Sequence, residues 1–258
     1  MMLLPNVYEV TTESTSPRWC EAFAKGCGSK KLTQHDNLWP GPIALFGSVH
    51  LWPNLKQAQA EGRDWYYGDH AYFGRFEYYR ITKNAYMHTG ISKRPYRKRF
   101  NHFGINIKPW RVNKPLNGRI DKRHIILCPP DDIFSALFQF DGTLWEKNAV
   151  ECIQRYTDRP IKIRKRLNIH NPLSEDLKGA WALVTYVSNS AVEAVLAGIP
   201  VICTGQCSAS TMGLLNIREI NNPRKPHGRY KWACTLANNQ WTLDEISDGI
   251  CWRAIGGK

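Results

Sequence analysis

Ser188, Asn189 and Ser190 form a polar turn between an apolar run, residues 182–187, and a run of good helix formers, residues 191–197. The apolar run is short and bounded by polar residues, as a buried strand is. Gly198 stops the helix, and residues 200–203 open a second buried strand. Strand, turn, helix and strand make a parallel βαβ unit, whose turn lies at a strand's carboxyl end, where open α/β sheets bind ligands. Backbone N–H groups at such a helix start attract an anion such as a phosphate. Ser190 and Glu193 stand three residues apart, which is also the spacing of a capping box. A second group lies in WYYGDHAYFGR, where Asp69-His70 is a polar pair among aromatics. A carboxylate so desolvated is driven towards accepting a proton; the alternative is that Asp69 caps a turn and His70 packs locally. A third group is IKIRKR. Strand alternation puts Lys162, Arg164 and Arg166 on one face and Lys165 on the other. The planar fork of Arg164 suits phosphate oxygens, and the alternative is a solvated sheet edge.

The elements that must position these groups alternate along the chain. Residues 7–10, 43–46 and 65–67 read as strands, with helices over 18–25 and 53–61 between them. Pro17 before the first helix and Gly26 at its stop follow the usual asymmetry. Residues 78–87 add a strand or hairpin. The alternation lapses over 90–120, which is rich in Pro, Gly, Asn, Lys and Arg and reads as an exposed excursion. It restarts at His124, with strands over 125–128 and 161–166 and helices over 133–138, 144–156 and 173–178. Thr242 and Glu245 then cap a final helix that runs to Ile255. The 258 residues are thus predicted to form an N-terminal domain over 1–120, a second over 121–240 and a closing helix over 241–258.

The net charge of +13 is concentrated. Residues 75–123 hold fourteen Lys and Arg against Glu77 and Asp121 alone, so the partner should be acidic. Within that segment Lys93, Arg94, Arg97, Lys98, Arg99, Lys108 and Arg111 are interleaved with Tyr96, Phe100, Phe103 and Trp110. Cations attract phosphates and aromatic rings stack on bases. No secretory leader and no membrane-spanning run is read from the sequence. The eight cysteines form no CxxC, which points to buried thiols in a reducing cytoplasm.

The order ILCPPDD, IKIRKR, TYVSNSAVEAVLAGIPV and a closing helix resembles the GT-B glycosyltransferases. The resemblance implies an α/β fold of two Rossmann-like domains facing a cleft, with the last helix crossing back to the first domain. It implies that Ser188, Asn189 and Ser190 meet the donor diphosphate and Glu193 the ribose, with Lys162 and Arg164 as counter-charges and Pro130 and Gly47-Ser48 lining the cleft. Asp69 is then the first choice for the base that takes the acceptor proton, and His70 the second. No bound cofactor is implied. The co-substrate is a nucleotide sugar, UDP-linked, with a divalent metal at most stimulatory, and no protein partner is inferable. Size and charge also resemble phage-type DNA glycosyltransferases. The leading expectation is therefore transfer to a hydroxymethylated pyrimidine in DNA, in the cytoplasm of a host cell, with the basic excursion as the DNA clamp. The alternatives are a polysaccharide or lipid-linked acceptor at an anionic membrane, and a nucleic-acid-binding protein without catalysis.

Overall fold

The computed structural model describes residues 3–47, 49–111, 123–165 and 171–256. Ser48, Arg166 and residues 112–122, among those singled out above, lie outside them. The chain is α/β and divides into two compact units. One holds Met1–His88 with Leu236–Lys258, and the other holds Thr89–Thr235. The basic excursion, expected in the N-terminal domain, clusters with the second unit.

The first unit is built on a mixed sheet. Strands β1 (Asn6–Glu9), β2 (Lys31–Thr33), β3 (Ile43–Phe46) and β4 (Trp65–His70) run parallel. Strands β5 (Tyr78–Lys83) and β10 (Gln240–Thr242) extend the sheet antiparallel, in the order β10-β5-β4-β3-β1-β2. Helix α1 (Ser16–Cys27) starts on a proline and ends at Gly28, whose φ of 72° is the left-handed turn that glycine favours. Its Trp19 and Phe23 stack at 4.9 Å and pack with Ala44, Phe46, Tyr66, Tyr79 and Ile81. Trp19 lies directly on the backbone of β4: a Cβ on Gly68 would sit 2.3 Å from the indole. Helix α2 (Trp52–Ala60) packs against β4.

The closing segment belongs to this unit and is two short helices, not one. Helix α9 (Leu243–Ser247) has the expected capping box. The Thr242 hydroxyl accepts from the Glu245 amide at 3.2 Å, and the Glu245 carboxylate accepts from the Thr242 amide at 3.0 Å. Gly249, at φ 71°, breaks the chain into α10 (Ile250–Ala254). Ile246, Cys251 and Trp252 join the α1 core.

In the second unit β7 (Ile161–Ile163), β6 (His124–Cys128), β8 (Ala180–Thr185) and β9 (Val201–Cys203) form a fully parallel sheet in that order. The strands β6, β8 and β9 are continuously apolar because both faces are covered. Helix α5 (Gly142–Tyr156) lays Ala149 and Ile153 on Ile125, Leu127, Ala182 and Val184. Helix α4 (Asp132–Leu137) follows β6, α6 (Leu173–Asp176) precedes β8, and α7 (Ser190–Leu196) links β8 to β9. Helix α3 (Arg97–His102) lies within the basic segment, and α8 (Arg229–Asn238) leads back to β10. The eight cysteines are free thiols, and all but Cys152 are buried.

Candidate functional site

In the second unit the chain leaves β6 for β7 on one side and returns to β8 on the other. The crevice beyond the carboxyl ends of β6 and β8 is therefore the topological switch point, where ligands bind in such sheets. One bank is the loop through Pro130, which is half-buried, and Asp131. Asp131 caps α4, its Oδ1 accepting from the Phe134 amide at 2.9 Å. The other bank starts at Tyr186, the residue after β8. Its ring meets those of Phe140 at 4.6 Å, Phe138 at 5.6 Å and Trp145 at 6.3 Å, and all four are half-buried. Gly205 is required beside it, because a Cβ there would sit 2.9 Å from the tyrosine ring. The Trp145 indole donates to the Thr204 hydroxyl at 3.1 Å, and the Thr204 amide donates to the Thr185 carbonyl at 2.9 Å. This aromatic wall was missed in the sequence, although the Phe134/Phe138 spacing of one helical turn is a readable signal.

The turn that follows is built from hydroxyls. The Ser190 amide donates to the Ser188 hydroxyl at 3.1 Å, and the Ser188 hydroxyl donates to that of Ser190 at 3.0 Å. The capping-box alternative does not form. Ser190 is the first residue of α7, and the cap position is Asn189, with helical dihedrals and no side-chain cap bond. Glu193 is exposed on the first turn. Burial pushes the Cys128 thiol up to about 12 against the opposing pull of its hydrogen bond with Ser190 and the nearby charge of Arg164; Asp176 and Glu193 act in the same neighbourhood. The Arg164 amide donates to the Leu127 carbonyl at 2.8 Å, which places it beside the end of β6.

The strand expected over 161–166 stops at Ile163, so only Lys162 of these cations lies on β7, and all three described cations are already engaged. Lys162 pairs with Asp176 Oδ1 at 2.5 Å, Arg164 pairs with Asp176 Oδ2, and Lys165 turns to Glu146 at 2.9 Å. Arg164 Nη2 also donates to the Asn171 carbonyl at 2.9 Å. Burial works against the Asp176 charge, and the hydrogen bonds from Lys162 and Arg164 outweigh it, so its carboxyl is held below the ordinary range.

In the first unit Gly47 follows β3, its amide donating to the Gly68 carbonyl at 2.8 Å. Any Cβ there would sit 2.5 Å from the Tyr67 hydroxyl. Asp69 pairs across the strands with Arg80, and His70 with Tyr79, so alternation puts Asp69 and His70 on opposite faces. The expectation of an Asp69 carboxylate desolvated by aromatics is corrected here. Oδ2 is ion-paired with Arg80, whose side chain is 1% exposed, and Oδ1 accepts from the His70 amide at 2.7 Å. Burial opposes the Arg80 charge, and Asp69 with the hydroxyls of Tyr72 and Tyr67 more than restores it. The guanidinium also lies 5.2 Å from the Tyr72 ring centre. His70 instead sits in an aromatic setting, 5.5 Å from Phe46, 5.3 Å from Phe76 and 6.2 Å from Tyr79. The loop after β4 is pinned by the fully buried Gln240. Its Oε1 accepts from the amides of Tyr72 and Phe73, both at 3.1 Å, and its Nε2 donates to the Phe73 carbonyl at 2.7 Å.

The basic segment is less free than a clamp requires. Phe100, expected to stack on bases, is buried at 2% exposure. Its ring meets Tyr230 at 5.8 Å. Trp110 is covered by Arg229 at 4.0 Å and donates to the Pro226 carbonyl at 3.0 Å. Phe103 is half-buried. The amides of Lys108 and Arg111 donate to Leu196 and Gly198 at 2.9 and 3.0 Å, tying this stretch to the end of α7. Lys93, Arg94, Arg97 and Lys98 are exposed, and Arg99 is half-buried. Among the described residues no helix is long and apolar enough to cross a membrane.

No protein-family model matches the sequence, and no curated protein matches it. Solved structures match in fold, two of them over nearly the whole chain. The first is the β Kdo 2,4 transferase of KpsC from Thermosulfurimonas dismutans, with a TM-score of 0.51 at 10% identity, covering 98% of this chain and 99% of that one. The second is the β Kdo 2,7 transferase of KpsC from the same organism, with a TM-score of 0.52 at 11% identity, covering 96% and 99%. The chain therefore has the fold of these glycosyltransferases.

Proposed function

We propose that the protein is a glycosyltransferase that moves a sugar from a nucleotide-sugar donor to a saccharide acceptor, a polysaccharide or a lipid-linked glycan. What carries the reading is the fold likeness to two sugar transferases along almost the full length of the chain. The switch-point crevice of the second unit is the donor site. The base lies along the aromatic wall of Tyr186, the phosphates meet the hydroxyls of Ser188 and Ser190 with Asn189, and Glu193 holds the ribose hydroxyls. Pro130 closes the opposite bank. Lys162 and Arg164 support this site through Asp176 and do not meet phosphate directly.

The acceptor side falls to the first unit. Its β1–β3 switch point opens at Gly47. In the reaction the acceptor oxygen bonds to the anomeric carbon, the bond to the nucleotide phosphate breaks with its electron pair leaving on the phosphate, and the acceptor proton passes to a base. His70 is the better-placed base, since both Asp69 oxygens are engaged. A saccharide acceptor is preferred to DNA because Phe100 is buried and one face of the half-buried Trp110 is covered by Arg229. The exposed Lys93–Lys98 cations and Tyr96 are what favour the DNA reading, and one assay separates the two.

The purified chain is incubated with a panel of nucleotide sugars, Kdo-linked and UDP-linked included. Kdo-terminated oligosaccharide and hydroxymethylated DNA are offered as acceptors, and mass spectrometry reads the products. Expected is a mass gain on the oligosaccharide. Tyr186→Ala should raise the donor KM about tenfold or more, the equivalent of ~1.4 kcal/mol of lost stacking. Transfer to DNA alone establishes the other reading, and no transfer from any donor removes both.

A further inference from the structure

Phe76 stands out in the first unit on two independent grounds. Its φ is 79°, in the left-handed region that a residue with a side chain rarely adopts. Its ring is also 72% exposed. A tight turn at this point is served better by glycine or asparagine, and an exposed phenylalanine gains nothing from burial. The turn itself is well held. The Gly74 carbonyl accepts from the amides of Glu77 and Tyr78 at 3.1 and 2.9 Å, and the Tyr79 hydroxyl donates to the Phe76 carbonyl at 3.3 Å. Gln240 fixes the preceding residues 72 and 73. A firmly held turn that carries an unfavourable residue type points to a use for the side chain.

The surroundings indicate what that use is. The Phe76 ring stands edge-on to His70, 5.3 Å away at an interplanar angle of 68°. The Arg75 guanidinium lies 5.3 Å from the ring centre. Arg75 is exposed, and no ion pair engages it among the described residues. An open aromatic face takes the C–H face of a pyranose, because the ring's negative face attracts partly positive hydrogens. A guanidinium beside it takes a carboxylate through its paired N–H groups.

We propose that Phe76 and Arg75 form the acceptor subsite, a platform for a sugar that carries a carboxylate. The substrate class rests on the glycosyltransferase reading above; the platform rests on Phe76, Arg75 and His70. A sugar seated on Phe76 brings its hydroxyls to the ring of His70, the group assigned to take the acceptor proton. Phe76 and Arg75 position the acceptor and take no part in the bond-making step.

The test is binding of methyl β-Kdo glycoside, a sugar acid, and of methyl β-glucoside to the full chain without donor, read by saturation-transfer NMR and calorimetry. Expected is binding of the acidic glycoside at least tenfold tighter than the neutral one. Phe76→Gly should lose at least tenfold in affinity for the acid while its Tm holds or rises, because glycine relieves the φ of 79°. Loss of binding without loss of stability is an outcome that a purely structural phenylalanine would not give. Arg75→Gln should bring the acid to the level of the neutral sugar. The platform is overturned if Phe76→Gly binds the acid as the parent does, if the parent binds both glycosides equally, or if only an oligonucleotide protects Phe76. Donor turnover is measured separately. Sugar binding that responds to Phe76→Gly supports the platform even where every nucleotide sugar fails, so the two failures are distinguishable.

Discussion

Lowering the pH from 8 to 5 should destabilise the first unit through one half-buried histidine. His88 is pushed down to about 3, first by burial and then by the Arg80 charge, against a hydrogen bond to the Ile81 carbonyl. The geometry fixes the neutral tautomer. The Tyr72 hydroxyl accepts from the His88 amide at 3.1 Å and lies 3.1 Å from His88 Nδ1; since the ring must donate to the Ile81 carbonyl, the neutral imidazole has Nδ1 left to accept the hydroxyl proton. Nδ1 is thus an acceptor, and Nε2 carries the hydrogen that meets Ile81. A proton added to Nδ1 would displace the Tyr72 bond and place a second cation beside Arg80. In the unfolded chain the same histidine titrates near 6.5. The unfolded state therefore binds the extra proton first, and stability is complete above about pH 6.5 and falls as the pH drops towards 3. At pH 5 the linkage amounts to about 2 kcal/mol. The figure is almost the same for any folded value below about 4, so it does not depend on the depth of the depression. For a unit of about 110 residues this is a fall in Tm of roughly 6–12 °C. Calorimetric melts at pH 8 and pH 5 read it directly. His88→Gln, which can keep one hydrogen bond and cannot take the proton, should fall by about 2 kcal/mol less over the same interval. Equal pH slopes in the parent and the variant, or an imidazole carbon resonance of His88 that titrates above pH 5, would refute the reasoning.

Two further substitutions test the frame around the sites. Asp69→Asn leaves the buried Arg80 guanidinium without its counter-charge and should cost about 3–5 kcal/mol, seen in chemical denaturation; a drop in turnover with stability unchanged would instead return Asp69 to the role of base. Gly198→Ala sets a Cβ 2.1 Å from the Pro109 carbonyl oxygen at a φ of 76°, so it should cost at least about 2 kcal/mol and expose the chain at Arg111, whose amide bonds the Gly198 carbonyl, to trypsin.

The second unit was legible in the sequence because its strands are buried on both faces. Runs such as ILC and ALV have no other reading between turn residues. Thr242 and Glu245 were legible for a different reason, since a capping box is a local contact between near neighbours. Ser190 and Glu193 have the same spacing and do not form one, because Asn189 has already entered helical dihedrals and the Ser188 hydroxyl takes the Ser190 amide. Strand β2 was missed because three residues at a sheet edge, with no buried position among them, leave no periodic signal. Helix α3 was missed because its six residues bury Phe100 alone. The fully buried Gln240 and the nearly buried Arg80 were illegible in principle. Their partners, Phe73 and Asp69, come from distant sequence or from across a strand pair, and no local pattern announces a polar residue whose burial is compensated in three dimensions.

The charges that seemed most able to do chemistry in the sequence turn out to hold structure. Asp69 is neutralised by Arg80, and Asp176 binds both Lys162 and Arg164. Each pairing ties adjacent elements at a sheet, and each removes an ionised group from direct work on a substrate. What lines the candidate sites is largely uncharged: the hydroxyls of Ser188 and Ser190, the rings of Tyr186 and Phe76, and the half-buried imidazole of His70, with Arg75 and Glu193 as exposed charges. This division suits a reaction in which the donor carries its own leaving group. The nucleotide phosphate departs with a charge it already bears in part, and the protein need only orient it, exclude water and accept one proton. The exposed positive excess, at Lys93, Arg94, Arg97 and Lys98, would then act through its field. A concentrated basic surface raises the local concentration of an anionic nucleotide sugar or acidic glycan without contacting the reacting atoms. Such a contribution should weaken with salt in the association rate and leave the chemical step unchanged.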